Sequence, residues 1–308
     1  MADVPIHSAT IVGDDLIRGR GDPAAVFPWW SFTKTVIAAA ALRLAEHGRL
    51  ALDEALPDRP YTLGQLLQNI AGVPDYGGLP EYHAAVAAGE PPWSRDELLR
   101  RVDADRLEFP PGQGWTSSNV GYLFARERIE ACAGVDLGSA LHELVLAPLG
   151  LHAVRLARAL DDFRAVHWKA VHGYDPGWVF HGCLLGTAPE ACRLLHALAR
   201  GELLGEDSLA RMRRARPIGG AVPGRPWVRH DYGLGLMIGT WADEQGTTSV
   251  VGHTGGGPGC VNAVYHFPDL GDGVTVACFA EAPNEAITEW EALRLARLDV
   301  AAARRQAK

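Results

Sequence analysis

"PWWSFTKTVIAAAALRLAEHG", residues 28 to 48, is the stretch on which the reading of the fold turns. From Phe32 to His47 it holds neither glycine nor proline, and Gly48 closes the run as a C-terminal cap would, so it predicts a helix starting at about Ser31. Residues three apart share a helix face, which sets the Lys34 amine beside the Ser31 hydroxyl. The helix N-terminus adds positive potential, and the apolar turn "TVIAAAAL" draws the lysine out of water. Both influences favour the neutral amine. Such an amine can take a serine proton and make Ser31 a nucleophile. The plainer reading has Ser31 as a cap and Lys34 solvated. Of 29 Lys+Arg only three are lysine: Lys34, Lys169 and Lys308. Arginine cannot lose its proton inside a protein, whereas a buried lysine can, so a lysine retained beside a serine invites a chemical reading.

Working outward, "SATIVG" and "LIRGR" flank Asp14 and Asp15 and predict two short strands joined by a turn. Downstream, "TLGQLLQNI", "SRDELLRRV" and "TAPEACRLLHALARG" each open on Thr or Ser with Gln or Glu three residues on. This reciprocal capping pattern predicts helix starts at about Thr62, Ser94 and Thr187. After about residue 228, "DYGLGLMIG", "TTSVVGHT", "CVNAVYHF" and "GVTVACFA" predict strands between Gly, Asp and Pro turns. A last helix runs from about Asn284 to the basic tail. The predicted class is α+β: both termini share an antiparallel sheet flanked by helices, and a mainly helical lobe is inserted. Residues 1–58 and 180–308 form the sheet lobe and 59–179 the helical lobe, with the site in the cleft between them.

A chain of 308 residues, 47% hydrophobic, can bury a substantial core. Net charge of -8 argues against nucleic-acid or anionic-membrane partners, which require a basic face. The run "RMRRARP" (211–217) reads as a solvated helix end. The first residues lack the basic start and apolar stretch of a secretory signal, and no segment approaches the ~20 apolar residues of a membrane span, so a cytoplasmic location is expected. Five cysteines at irregular spacing, with no Cys-X-X-Cys pair, indicate reduced thiols and neither a disulfide framework nor a zinc knuckle. No His-Glu-X-X-His occurs among the twelve histidines, and no metal site or cofactor is expected.

Two further stretches carry polar residues in suggestive places. "PPGQGWTSSNVGYLFA" (110–125) delivers Ser117, Ser118 and Asn119 to a helix start, where a cap accounts for one hydroxyl. "VVGHTGGGPG" (250–259) is a β-branched strand ending in His253-Thr254-Gly255. Strand side chains alternate, so His253 and Gly255 share a face, and the small glycine lets a substrate lie against the strand. Trp29, Trp30, Trp93, Trp115 and Trp178 fall beside these motifs as candidates for an aromatic pocket.

Taken together, Ser-X-X-Lys, then hydroxyl-X-Asn, then a basic residue-Thr-Gly on a strand resembles the serine β-lactamase and penicillin-binding protein superfamily. "LAEHGRLALDEAL", "LLQNIAGVPDYG", "APLGL", "YGLGLMIG" and "GHTGGGPGCVNAVYHFPDLGDGVTV" look like its class C-like branch, and the resemblance covers nearly the whole chain. It implies Ser31 as nucleophile, Lys34 as base, Ser117 as second hydroxyl, Asn119 on the substrate amide, and His253 with Thr254 as anchor. Gly255 would let substrate lie along the strand, and the N–H groups of Ser31 and Gly256 would form an oxyanion hole. The branch usually has tyrosine where Ser117 stands, and Tyr174 is the candidate substitute. The N-terminal region is also short for this branch, which bears on the sheet edge. The implied function is hydrolysis of small esters or amides through an acyl-enzyme. The alternatives are acyl transfer from the same intermediate and a non-catalytic binding protein of the same fold.

Overall fold

Strands from the two ends of the chain meet in one sheet. The computed structural model describes residues 4–13 and 15–306; Asp14, at the first expected turn, and Lys308 lie outside the described residues. Strand β1 (Ile6–Val12) is followed by β2 (Asp15–Arg20), which forms one edge of the sheet. The other strands of this sheet come late: β6 (Arg216–Gly219), β7 (Trp227–Tyr232), β8 (Met237–Asp243), β9 (Gly246–Gly257), β10 (Cys260–Phe267) and β11 (Val274–Ala280). The order is β2-β1-β11-β10-β9-β8-β7-β6, with antiparallel pairing throughout. A smaller sheet of β3 (Val26–Pro28), β5 (Leu184–Thr187) and β4 (Arg155–Leu156) holds the chain just before Ser31.

The helices are α1 (Thr33–Glu46), α2 (Leu63–Leu67), α3 (Pro80–Ala87), α4 (Arg95–Arg101), α5 (Asn119–Ala133), α6 (Leu137–Leu141), α7 (Leu160–Arg164), α8 (Ala188–Arg200), α9 (Glu206–Arg213) and α10 (Ala286–Gln306). Thr62 with Gln65 and Thr187 with Glu190 form the expected reciprocal caps, and the Ser94 hydroxyl accepts from Glu97 N. The large sheet is covered on both faces. Ala277 and Phe279 of β11 share a core with Ala191, Leu194 and Leu195 of α8. Val274, Val276 and Cys278 point the other way, toward Ala292, Leu293 and Ala296 of α10. This alternation explains why β11 reads as an unbroken apolar run: every residue in it is buried. The segment 211–217 does end a helix, although Met212 is buried within it.

Two expected boundaries shift. Trp30–Phe32 form a 3-10 turn and α1 begins at Thr33, so Ser31 lies ahead of the helix and makes no side-chain cap. "DYGLGLMIG" is not one strand. Tyr232 ends β7, Met237 begins β8, and residues 233–236 turn between them. Gly235 requires that turn: its φ is +64°, and a Cβ there would stand 2.6 Å from the Lys34 carbonyl oxygen.

Candidate active site

Ser31 is presented by a strained turn. Trp30, immediately before it, adopts φ +42°, a left-handed conformation that costs free energy for a residue with a side chain. The surroundings hold it there. Trp29 N donates to Leu184 O at 2.8 Å, Leu184 N donates to Thr33 Oγ1 at 3.0 Å, and the Trp30 indole N–H reaches Cys260 Sγ at 3.3 Å. From β10, Asn262 Nδ2 donates to Trp29 O at 3.1 Å. Asn262 escaped the sequence reading, although a polar residue inside the apolar run "CVNAVYHF" was the available signal.

Lys34 occupies the first turn of α1, only 3% exposed. Its Nζ lies 3.4 Å from Ser31 Oγ. Removal from water penalises the ammonium and brings the amine pKa down to about 8; the Asp75 carboxylate opposes the shift. From behind, Thr35 Oγ1 donates to Gly235 O at 2.7 Å, clamping α1 to the turn between β7 and β8.

Strand β9 forms the opposite wall. A Cβ on Gly255 would come within 2.9 Å of Ser31 N, so only glycine lets this strand lie against the turn. His253, the basic residue of the strand motif, is buried and uncharged. The Thr254 carbonyl, 2.6 Å from Nδ1, can only accept, so Nδ1 carries the hydrogen and Nε2 accepts from the Tyr232 phenol at 3.0 Å. Burial and then the nearby Lys34 push its pKa down to about 3. The Thr254 hydroxyl is also engaged, 2.7 Å from Glu289 Oε1 and 2.7 Å from the Tyr265 hydroxyl.

Ser31, Lys34, Ser117, His253, Thr254 and Gly256 line one cavity of about 200 Å³. Trp115, Arg225, His230, Tyr232, Met237 and Glu285 complete it. Ser117 is exposed within it, one residue ahead of Ser118, whose hydroxyl caps α5 by accepting from Gly121 N at 2.8 Å. Asn119 is not on this wall. Its Nδ2 and backbone N donate to Asp75 at 3.1 and 2.7 Å, because the Asp75 carboxylate satisfies the free N–H groups at the start of α5. Tyr174 is likewise elsewhere. It is buried against Phe163 and Trp30, with its hydroxyl 2.9 Å from that of Tyr82, so it cannot substitute for a phenol at position 117. Tyr232 is the phenol that does reach the cavity. Of the tryptophans expected there only Trp115 lines it; Trp29 is core, and Trp93 packs on Trp178.

The beta-lactamase family model matches residues 12–298. The chain belongs to the beta-lactamase family. Its fold is similar to that of the D-amino acid amidase of Ochrobactrum anthropi SV3, with a TM-score of 0.78, 19% identity, and coverage of 97% of this chain and 94% of that one. It is also similar to a D-stereospecific amidohydrolase from Streptomyces (TM-score 0.73, 24% identity, 92% and 93% coverage). A penicillin-binding protein from Bacillus halodurans gives a TM-score of 0.69 at 22% identity over 94% and 95%. In sequence, esterase EstB of Burkholderia gladioli is 31% identical over 141 residues, which are 39% of this chain and 36% of that relative, so the match spans about a third of the esterase. Ser31, Lys34, Ser117, His253, Thr254 and Gly256, expected from sequence, converge on one cavity, whereas the room at Gly255 is taken by the Ser31 turn and not left to substrate. Asn119 and Tyr174 do not join them. Arg225, Glu285 and Tyr232, unremarked in the sequence, do.

Proposed function

We propose that this protein is a serine hydrolase that cleaves small esters or amides through an acyl-enzyme on Ser31. The observation that carries the reading is the buried Lys34 amine, 3.4 Å from the Ser31 hydroxyl and titrating near neutrality. As Oγ bonds to the carbonyl carbon, its proton passes to neutral Lys34 and the carbonyl electron pair moves onto oxygen, held by the backbone N–H groups of Ser31 and Gly256. The oxyanion collapses and the bond to the leaving alcohol or amine breaks. That group takes the proton back from Lys34, directly or through the Ser117 hydroxyl. Water then adds to the acyl-serine carbonyl with Lys34 again accepting a proton; the bond to Ser31 Oγ breaks, Oγ takes that proton back from Lys34, and the carboxylic acid leaves. The buried, doubly bonded His253 serves as a neutral hydrogen-bonded part of the wall.

Intact-mass analysis after exposure to a panel of esters, β-lactams and D-amino amides tests the reading. A mass gain equal to the acyl group, located to Ser31 and absent in Ser31→Ala, is expected with at least one ester or amide. Turnover by Ser31→Ala at the parent rate would place the nucleophile elsewhere.

A further inference from the structure

The charges on the cavity wall are unequally engaged. Arg225 places Nε 2.7 Å from one Glu289 oxygen and Nη2 on the other, and Glu289 is fully buried. This arginine is therefore already neutralised by a bidentate partner. His253 offers no charge, since both its nitrogens are occupied. Lys34 must be neutral to serve Ser31 as base, and burial pushes the His230 pKa down to about 4, so neither offers a charge in the reacting site. Glu285 differs. Its nearest cationic atom, Arg225 Nη1, stands at 3.8 Å, beyond hydrogen-bond reach, and its side chain keeps 37% exposure. Among the described residues no hydrogen bond is made to its carboxylate. The backbone beneath is fixed, because Glu285 O accepts from Glu289 N and from Thr288 Oγ1, both at 3.0 Å, at the start of α10. Glu285 Oε1 lies 2.9 Å from where a Cβ of Gly256 would stand, one residue along β9 from the glycine that abuts Ser31. An acyl group carrying a carboxylate would meet this oxygen with no free cation to offset it. One carrying an ammonium would find an open acceptor.

Resting on the Ser31 reading, we propose that the site selects acyl donors bearing an ammonium group close to the scissile carbonyl and rejects those bearing a carboxylate, with Glu285 as the specificity-determining residue. The test compares three thioesters sharing one thiol leaving group: β-alanyl (ammonium), butyryl (its neutral isostere) and malonyl (carboxylate), followed by thiol release at pH 7 and low salt. The expected kcat/KM for β-alanyl is about tenfold above butyryl, and that for malonyl about tenfold below it, with both ratios shrinking as salt screens the charges. Glu285→Gln should bring the β-alanyl to butyryl ratio near one, and Glu285→Lys should invert it. Ratios that do not move in these variants, or malonyl used as well as butyryl, overturn the proposal. Ser31→Ala separates the two levels. If it abolishes butyryl turnover while the parent shows no charge preference, the Ser31 reading stands and this inference fails. If it still turns over butyryl thioester, or the parent turns over none of the three, the Ser31 reading fails first.

Discussion

Lys34 has to be a charged residue to the solvent-exposed unfolded chain and a neutral base in the folded site, and that conflict is measurable. Lys34→Arg keeps the charge, but guanidinium cannot act as a base near neutral pH. Single-turnover acylation by an activated ester is expected to fall by roughly three orders of magnitude, about 4 kcal/mol in barrier, and a fall of less than tenfold would remove Lys34 as base. Because the site is only 3% exposed, the bulkier arginine should also cost about 1–3 kcal/mol by overpacking, visible in thermal melting. The pH dependence of stability has a definite sign. The amine pKa falls from 10.5 to about 8 on folding, so between those values the unfolded chain binds more protons, and the burial penalty, full below pH 8, is relieved as pH rises. Relative to Lys34→Met, the parent should gain about 3 kcal/mol of unfolding free energy between pH 7 and 10.5 in urea titrations; a flat difference would mean that Lys34 is not desolvated. Ser117→Ala is expected to lower kcat by about 10²–10⁴ if this hydroxyl relays the leaving-group proton. An unchanged kcat would shift that role to water or to the Tyr232 phenol.

At the scale of elements, the decisive contact is between β9 and the turn ahead of α1. Gly255→Ala would push a methyl into Ser31 N and Trp30 Cβ, each 2.9 Å away, and backbone cannot step aside as a side chain can. We expect kcat/KM to drop at least ~100-fold, since small displacements of a nucleophile are costly, with a stability loss of about 1–3 kcal/mol. Gly219→Ala in β6, where a Cβ meets nothing within 4 Å, is the matched control and should change neither measurement. Elements were legible in the sequence wherever the signal was local. The Thr62 and Thr187 caps, Gly48 after α1, and strands β9 to β11 all sit where their residues put them. The misreadings have a common cause. The Ser31 turn and the break at 233–236 are shaped by partners far away in sequence, Leu184, Asn262 and Leu67, which no window around them contains.

At the scale of the molecule, Glu289 ties the C-terminal helix to the sheet. Fully buried, it accepts from Arg225, from the Trp227 indole at 3.1 Å and from Thr254 at 2.7 Å, linking α10 to β7 and β9. Glu289→Ala would take the bidentate partner from the arginine and leave the buried Trp227 indole N–H unpaired, so a loss of roughly 3–5 kcal/mol in urea unfolding is expected. A loss under about 1 kcal/mol would show that the network is not what holds the helix on.

The sequence alone determined the α+β class, the joining of both termini in one antiparallel sheet, and the pairing of Ser31 with Lys34. Periodicity, capping and i,i+3 geometry act over a few residues, and those residues are contiguous. Tertiary structure decided what the pair faces. It made His253 neutral by bringing Tyr232 onto one nitrogen and a carbonyl onto the other, withdrew Asn119 to Asp75 and Tyr174 to Tyr82, and set Arg225, Glu285 and Glu289 around the cavity. Charge state and hydrogen-bond availability depend on burial and on partners tens to hundreds of residues away, and only the folded chain brings those together.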